Sequence, residues 1–475
     1  MFKMKKTMTL CASLAVVALA GCSAAPASVA PTPSAASPSA SGAAKTISLS
    51  VMTSDRFLEL AKQKYEAAHP GTTVQIKEYV AAPTVDTKAP SAPDGKQQNM
   101  VMVAKPDPKN AEKYVTSVGA ELMSGKASDI IVMDGLPYRK YADKKLLENL
   151  SDWMGKDSSF KKDDYYSGML NAMAYKGSLY TIPAKIGLTM WLGNQSVLGS
   201  TPPDDSKWTW ADFKKQAAAW QADKNNDGKP DVYPLGKVEP DQLVTQMLNS
   251  SFAKFVDAGA QKAKFDSPDF IQLLKLAKSM YDDQIIVPDT ADANNVVFQP
   301  KSNIMMYMDM YALPKMQFGG KGAFYNLPSE NDVKGTLFTS SLPLAINSKS
   351  TNKQEAWDFV KFLLSDDMQS ARELNGFAVN KNGAKAQLDT LKTLGTGNAK
   401  MKLNINGNAM TLQAATDEEV ATITGVLDKA NVYAESDAKI STIVAEETVP
   451  FFQGQKSAEE VAKIIQNKVS TYLQE

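Results

Sequence analysis

The body of the chain opens on alternation. Ile47, Leu49 and Val51 are separated by Ser48 and Ser50, a period of two that predicts a strand with one buried face. The period then changes to that of a helix. Phe57, Leu58, Ala61, Tyr65 and Ala68 share one face, Ser54 or Asp55 stands where a cap belongs, and Pro70-Gly71 closes the segment. Val74 and Ile76 predict a second strand, and Ala111, Tyr114, Val118 and Leu122 a second helix that stops at Gly125. Ile130 to Met133 is apolar without a break, as expected of a parallel strand covered on both faces. Strand, helix, strand, helix, strand is the beginning of an open α/β sheet.

Helix starts recur beyond this point. Thr209-Trp210-Ala211-Asp212 fits a capping box. Ser267-Pro268-Asp269 opens a helix carrying Leu273, Leu274, Ala277 and Tyr281, and Asn352 to Glu355 opens one carrying Trp357, Val360 and Leu364. Ser457 to Glu460 opens the last, with Val461, Ile464, Ile465 and Tyr472 on its inner face. Residues 82–108 break the pattern with Pro, Asp and Lys and read as a surface insertion.

The first 45 residues follow a different logic. Lys3, Lys5 and Lys6 precede an apolar run from Leu10 to Leu19, too short for a stable membrane span and laid out like an export signal. It ends in Leu19-Ala20-Gly21-Cys22, which resembles a bacterial lipobox, where the signal is cut and the cysteine takes lipid. Residues 1–21 are therefore expected to be a signal peptide. Residues 22–45, almost wholly Ala, Ser and Pro, are expected to be a lipidated linker that cannot bury enough apolar surface to fold. The protein is thus expected on the extracytoplasmic face of the cell membrane.

Composition removes several kinds of chemistry. Cys11 lies in the signal, so Cys22 is the one thiol of the mature chain, and His69 is the one histidine. A thiolate or histidine zinc site cannot be assembled from these. With the lysines of residues 1–21 set aside, the charge balance is slightly acidic, which argues against nucleic acid as a partner. The 475 residues suffice for two or three domains.

Several local patterns, taken in order, resemble one family. They are Ser128-Asp129-Ile130-Ile131-Val132-Met133; Tyr141-Ala142 through Leu146-Leu147-Glu148-Asn149-Leu150; Gly177-Ser178-Leu179-Tyr180-Thr181-Ile182-Pro183, running on to Trp191 and Asn194; Lys207-Trp208-Thr209-Trp210; Leu342 to Asn347 followed by Lys353 to Leu364; and the closing helix from Ser457. The chain resembles the extracellular solute-binding proteins of bacterial ABC importers, in the maltose-binding-protein-like group (family 1). Gly193-Asn194 departs from the Tyr-Asn pair usual after the first crossover. The resemblance implies an α/β, two-lobed periplasmic-binding-protein-like fold (type II) with the ligand cleft between the lobes. Lobe one is expected at 46–184 plus 343–375, and lobe two at 190–338 plus 380–475. It also implies a monomer that captures a small molecule, here a carbohydrate, meets an ABC permease, and is not an enzyme. An extracellular carbohydrate hydrolase built on paired carboxylates, or a sensory binding lobe for a membrane receptor, remain the alternatives.

Sugar recognition needs an aromatic plane for the ring face and polar groups for hydroxyls. Trp191, in the first crossover, is a stacking candidate or a core residue in equal measure. In Met305 to Tyr311, the resemblance makes Tyr311 a cleft aromatic and Asp309 a hydroxyl acceptor, with Tyr307 on the same segment; the alternative is a methionine-filled core strand. Asp134 follows the strand Ile130–Met133, and Asp55 holds the same place after the first strand, both positions where open sheets bind ligands and both also natural caps or turns. Tyr138 and Phe377 are further aromatic candidates. Finally, Asp223, Asn225, Asp227, Lys229 (through its carbonyl) and Asp231 match the first half of a calcium loop, with Pro234 where the twelfth-position glutamate belongs. A tight Asn/Asp/Gly turn explains the same residues without Ca2+. No cofactor is otherwise expected.

Overall fold

The computed structural model describes residues 45–81, 108–199, 202–257, 259–288, 295–394, 402–405, 408–435 and 437–474. The expected signal peptide, Cys22, most of the linker and the insertion from 82 to 107 lie outside the described residues.

In chain order the strands are β1 (Lys45–Val51), β2 (Thr72–Glu78), β3 (Ile130–Val132), β4 (Ile182–Asn194), β5 (Tyr233–Leu235), β6 (Val256–Asp257), β7 (Lys262–Ala263), β8 (Val296–Ile304), β9 (Gly322–Asn326), β10 (Thr336–Ile346), β11 (Phe377–Ala378), β12 (Lys402–Ile405), β13 (Asn408–Thr411) and β14 (Ala430–Tyr433). One sheet runs β2-β1-β3-β10-β4-β8-β5, with β9 and β11 also on β4, and β14 on β10. The opening β1, β2 and β3 are parallel, as the βαβαβ pattern requires, and β10 enters antiparallel to β3 with Ala345 opposite Ile131.

β4 organises the sheet. Its first half pairs with β10 and β11, and its second half with β8 and β9. It is buried nearly throughout, Lys185 included. Ile182, Ala184, Ile186, Leu188 and Met190 belong to a first apolar core, whereas Trp191 begins a second. The first core is built on β1, β3 and the helices Arg56–Ala68 and Lys353–Leu363. The second gathers the helices Trp210–Trp220, Pro240–Ser250, Pro268–Asp282 and Ala458–Gln474. A smaller cluster with Tyr114, Val118, Leu122, Ile131 and Met133 covers the other face of β3.

The boundary between the cores differs in detail from the lobe limits read from sequence. Ile304, Tyr307, Met310, Tyr311, Leu388, Ile423 and Leu427 join the first core, although the expected limits assign them to lobe two. The cause is β8, which carries the chain from Phe298 in the second core back to Ile304 in the first.

Local signals explain most of the helix ends. Asp55 caps Arg56–Ala68 by accepting from Leu58 N at 2.9 Å. His69 ends the same helix, its ring stacked on Tyr65 at 4.0 Å. The Thr209–Asp212 box forms. Asn352 behaves otherwise, since its side-chain amide donates to Thr46 O and to Asp129 rather than capping. The segment Met305–Tyr311 is not a core strand. Tyr307–Phe318 is a helix, opened where Met306 N donates to Asp309. Tyr307, Met310 and Tyr311 are spaced i, i+3, i+4, the inner face of a helix, whereas alternation would have grouped Tyr307 and Tyr311 with the polar Asp309.

Candidate functional site

Four chain segments converge at the carboxyl ends of β1 and β3. Tyr114 ties those strands together from behind, its hydroxyl shared between the carbonyls of Ser50 and Val132. Beyond β1, Asp55 uses one carboxylate oxygen as the cap on Leu58 and the other to accept from Lys185 Nζ at 2.6 Å. Lys185 projects from β4 and is itself buried, with its ammonium 5.8 Å from the Phe57 ring centre. Gly376 makes room for it, because a Cβ there would stand 2.9 Å from the Lys185 Cβ.

Beyond β3, Asp134 is half-buried and makes no hydrogen bond or ion pair among the described residues. Burial drives its carboxyl up to about 7, against the opposing pull of Lys185 and with the added push of Asp55. Next along the chain, Arg139 lies between the rings of Tyr138 and Tyr175, 5.6 and 5.5 Å from their centres. Its guanidinium reaches Glu435 at 2.8 Å, and its Nε donates to the Tyr138 hydroxyl at 3.3 Å. Glu435 follows β14, and burial raises its carboxyl despite the arginine. Tyr433, at the end of β14, is half-buried with no hydrogen bond to its hydroxyl among the described residues, and burial raises its pKa. The result is a set of alternating acids and bases, Asp55, Lys185, Asp134, Arg139 and Glu435, edged by Tyr138 and Tyr433. Such a set can orient hydroxyls or amines by hydrogen bonds and offer a ring face for stacking.

The other candidates fall elsewhere. Trp191 is fully buried in the second core, with Phe213 at 4.9 Å, Trp210 at 5.5 Å and Trp208 at 6.0 Å, so the packing alternative describes its position. Tyr307 is buried against Phe377, and its hydroxyl accepts from Ala378 N at 3.1 Å. Tyr311 is buried with its hydroxyl on the carbonyl of Gln413 and Lys315 over its ring. Asp309 is the cap already described. These four are placed by packing and capping, and none makes a hydrogen bond or ion pair with Asp55, Lys185, Asp134, Arg139 or Glu435 among the described residues.

The loop at 223–231 folds on its own backbone. Asp223 accepts from Asn226 N at 2.7 Å and Gly228 N at 2.9 Å, and Asp231 from Lys224 N at 2.6 Å. Asn225 and Asp227 each accept from the backbone N–H two residues on. Among the described residues no group of three or more His, Cys, Asp or Glu is arranged to hold a metal ion.

Sequence reasoning missed Lys185, Arg139, Tyr433 and Glu435. Lys185 carries a readable signal, a charge inside the apolar run Ile182–Leu192. Arg139 is one of three arginines in the chain. Glu435 and Tyr433 sit nearly 300 residues beyond Arg139, and no local pattern marks them.

The continuous sheet, its paired cores and the polar set at the strand ends define a two-lobed α/β binding protein. The chain belongs to the bacterial extracellular solute-binding proteins, whose family model matches residues 107–370, more than half of its length. Solved structures agree on the fold. A family 1 extracellular solute-binding protein of Alicyclobacillus acidocaldarius is 15% identical with a TM-score of 0.56, covering 92% of this chain and 100% of its own. The sugar-binding protein MalE of Xanthomonas citri is 14% identical with a TM-score of 0.57, covering 90% and 98%. An ABC substrate-binding protein of Listeria monocytogenes in complex with cycloalternan is 15% identical with a TM-score of 0.52, covering 90% and 99%. No curated protein sequence matches the chain. Among the described residues, no helix is long and apolar enough to cross a membrane.

Proposed function

We propose that the protein is the solute-capturing component of an ABC importer, tethered outside the cytoplasm by lipid on Cys22, with a sugar or oligosaccharide as ligand. One observation carries this reading. A member of a solute-binding family gathers Asp55, Asp134, Arg139, Lys185, Tyr433 and Glu435 from separate segments at the carboxyl ends of its strands, where open α/β sheets bind ligands. The cycloalternan complex and the MalE likeness favour carbohydrate. Capture is a matter of positioning and desolvation, with no bond made or broken. Solute filling the space between the cores favours the closed form, and a permease that recognises that form receives the cargo. A thermal-shift screen over mono- and oligosaccharides tests the ligand class, since a solute bound only by the native state must raise its melting temperature. A rise with amino acids or peptides and none with any sugar would contradict it.

A further inference from the structure

We propose that Asp134 is the counter-ion for a basic amine on the bound solute, so that the cleft prefers an amine-bearing sugar to its neutral counterpart. This rests on reading the acid–base set as the solute cleft.

The set holds three acids and two bases, and contact already matches two pairs. Asp55 lies 2.6 Å from Lys185, and Glu435 lies 2.8 Å from Arg139. Asp134 is the remaining carboxyl, half-buried and without a hydrogen bond or ion pair among the described residues. The groups that face it are Asp55 after β1, Lys185 on β4, Tyr114 on the helix Pro108–Ser124 and Tyr433 on β14. Both tyrosines are held neutral by burial, so neither supplies positive charge. Lys185 is already committed to Asp55. A half-buried carboxylate in this position lacks a contact cation, and a solute ammonium supplies both charge and donors. A neutral hydroxyl supplies a donor alone. The surroundings point the same way. Asp55 also lines an open depression with Glu59, Glu66, Glu78 and Glu373, against Arg56 and Lys62, a field that draws cations and repels anions. Tyr433 beside the acid gives the apolar sugar face, or the cation itself, an aromatic surface.

The carboxyl held at about 7 gives the binding a proton signature. An ammonium requires the ionised acid, so below that pH a proton must leave Asp134 as the amine arrives. Affinity for the amine should then fall by up to about tenfold per pH unit, while a neutral sugar shows no such slope.

The test is calorimetry on the mature protein with matched probes: glucosamine against glucose, galactosamine against galactose, chitobiose against cellobiose, with glucuronate and spermidine as controls. We expect the amine of a pair to bind at least about tenfold tighter at pH 7.5, and Asp134→Asn to remove the difference while its circular dichroism and melting stay those of a folded protein. The pH slope in the wild type gives a second readout that needs no variant. Equal binding of amine and neutral sugars overturns the inference and leaves the carbohydrate reading standing. A preference that survives Asp134→Asn also overturns it. Spermidine binding without any sugar keeps Asp134 as an amine acceptor and overturns the carbohydrate reading. Binding of none of these probes counts against both.

Discussion

Arg139 reaches across to Glu435 at 2.8 Å, joining the helix that follows β3 to the segment that follows β14. Glu435 leads into the helix Ala438–Phe452, whose Ile440, Ile443 and Val444 lie in the second core. Arg139 lies on Tyr138–Asp143, whose Tyr138, Tyr141 and Ala142 cover β3. The pair therefore links elements of different cores. Glu435→Gln should weaken this link, and small-angle scattering of the solute-free variant should show a larger radius of gyration than the wild type. An unchanged radius would mean that the pair does not hold the elements together.

Asp134 predicts a pH dependence of stability. Its carboxyl rises to about 7 in the folded protein, against 3.8 for the free group. The native state therefore holds a proton that the unfolded chain releases, so stability falls as pH rises from about 4 to about 7. That difference in proton affinity is worth about 2–4 kcal/mol once the partial exposure of the group is allowed for. Asp134→Asn cannot ionise, so it should melt above the wild type at pH 8 and near it at pH 4. Equal melting at both pH values would mean that this carboxyl does not set the pH dependence.

Lys185 and Asp55 offer a third test. Lys185→Met keeps the stem but leaves Asp55 without its cation. The cost should be about 1–3 kcal/mol in denaturant unfolding, less than for a fully buried pair because Asp55 retains contact with water. It should also extend the pH dependence just described to higher pH, since Lys185 is the charge that pulls Asp134 down.

Trp191 and Tyr311 should behave as core residues. Trp191→Ala should cost about 3–5 kcal/mol by leaving a cavity among Trp208, Trp210, Phe213 and Phe298. Tyr311→Phe removes one hydrogen bond to Gln413 and should cost about 1 kcal/mol. Solute-induced thermal shifts should survive Tyr311→Phe.

These contrasts show what was legible. Short-range rules placed β1, the helix after it, β3 and most caps, because period and capping chemistry act within a few residues. They also placed Asp55 and Asp134, whose positions follow directly from strand ends. They failed at Met305–Tyr311, a run short and apolar enough to pass for a strand, where Tyr307, Met310 and Tyr311 in fact follow helical spacing from the Met306–Asp309 cap. They could not reach Glu435 or Tyr433, which approach Arg139 and Asp134 only through the pairing of β14 with β10. Trp191 stayed open between ligand platform and core because alternation assigns a face without saying which core that face meets.

Cys22→Ser tests the tether. Cells making it should release the protein to the soluble fraction with sugar binding intact. Continued membrane association would argue against lipid on Cys22.

The most direct measurement is a calorimetric titration of the sugar panel into wild type, Lys185→Met and Tyr311→Phe. At least one carbohydrate should bind the wild type with one site per chain, Lys185→Met should weaken it by about tenfold or more, and Tyr311→Phe should leave it unchanged. Binding that ignores Lys185 and disappears with the Tyr311 hydroxyl would contradict the assignment of the cleft, as would a protein that binds no carbohydrate at all.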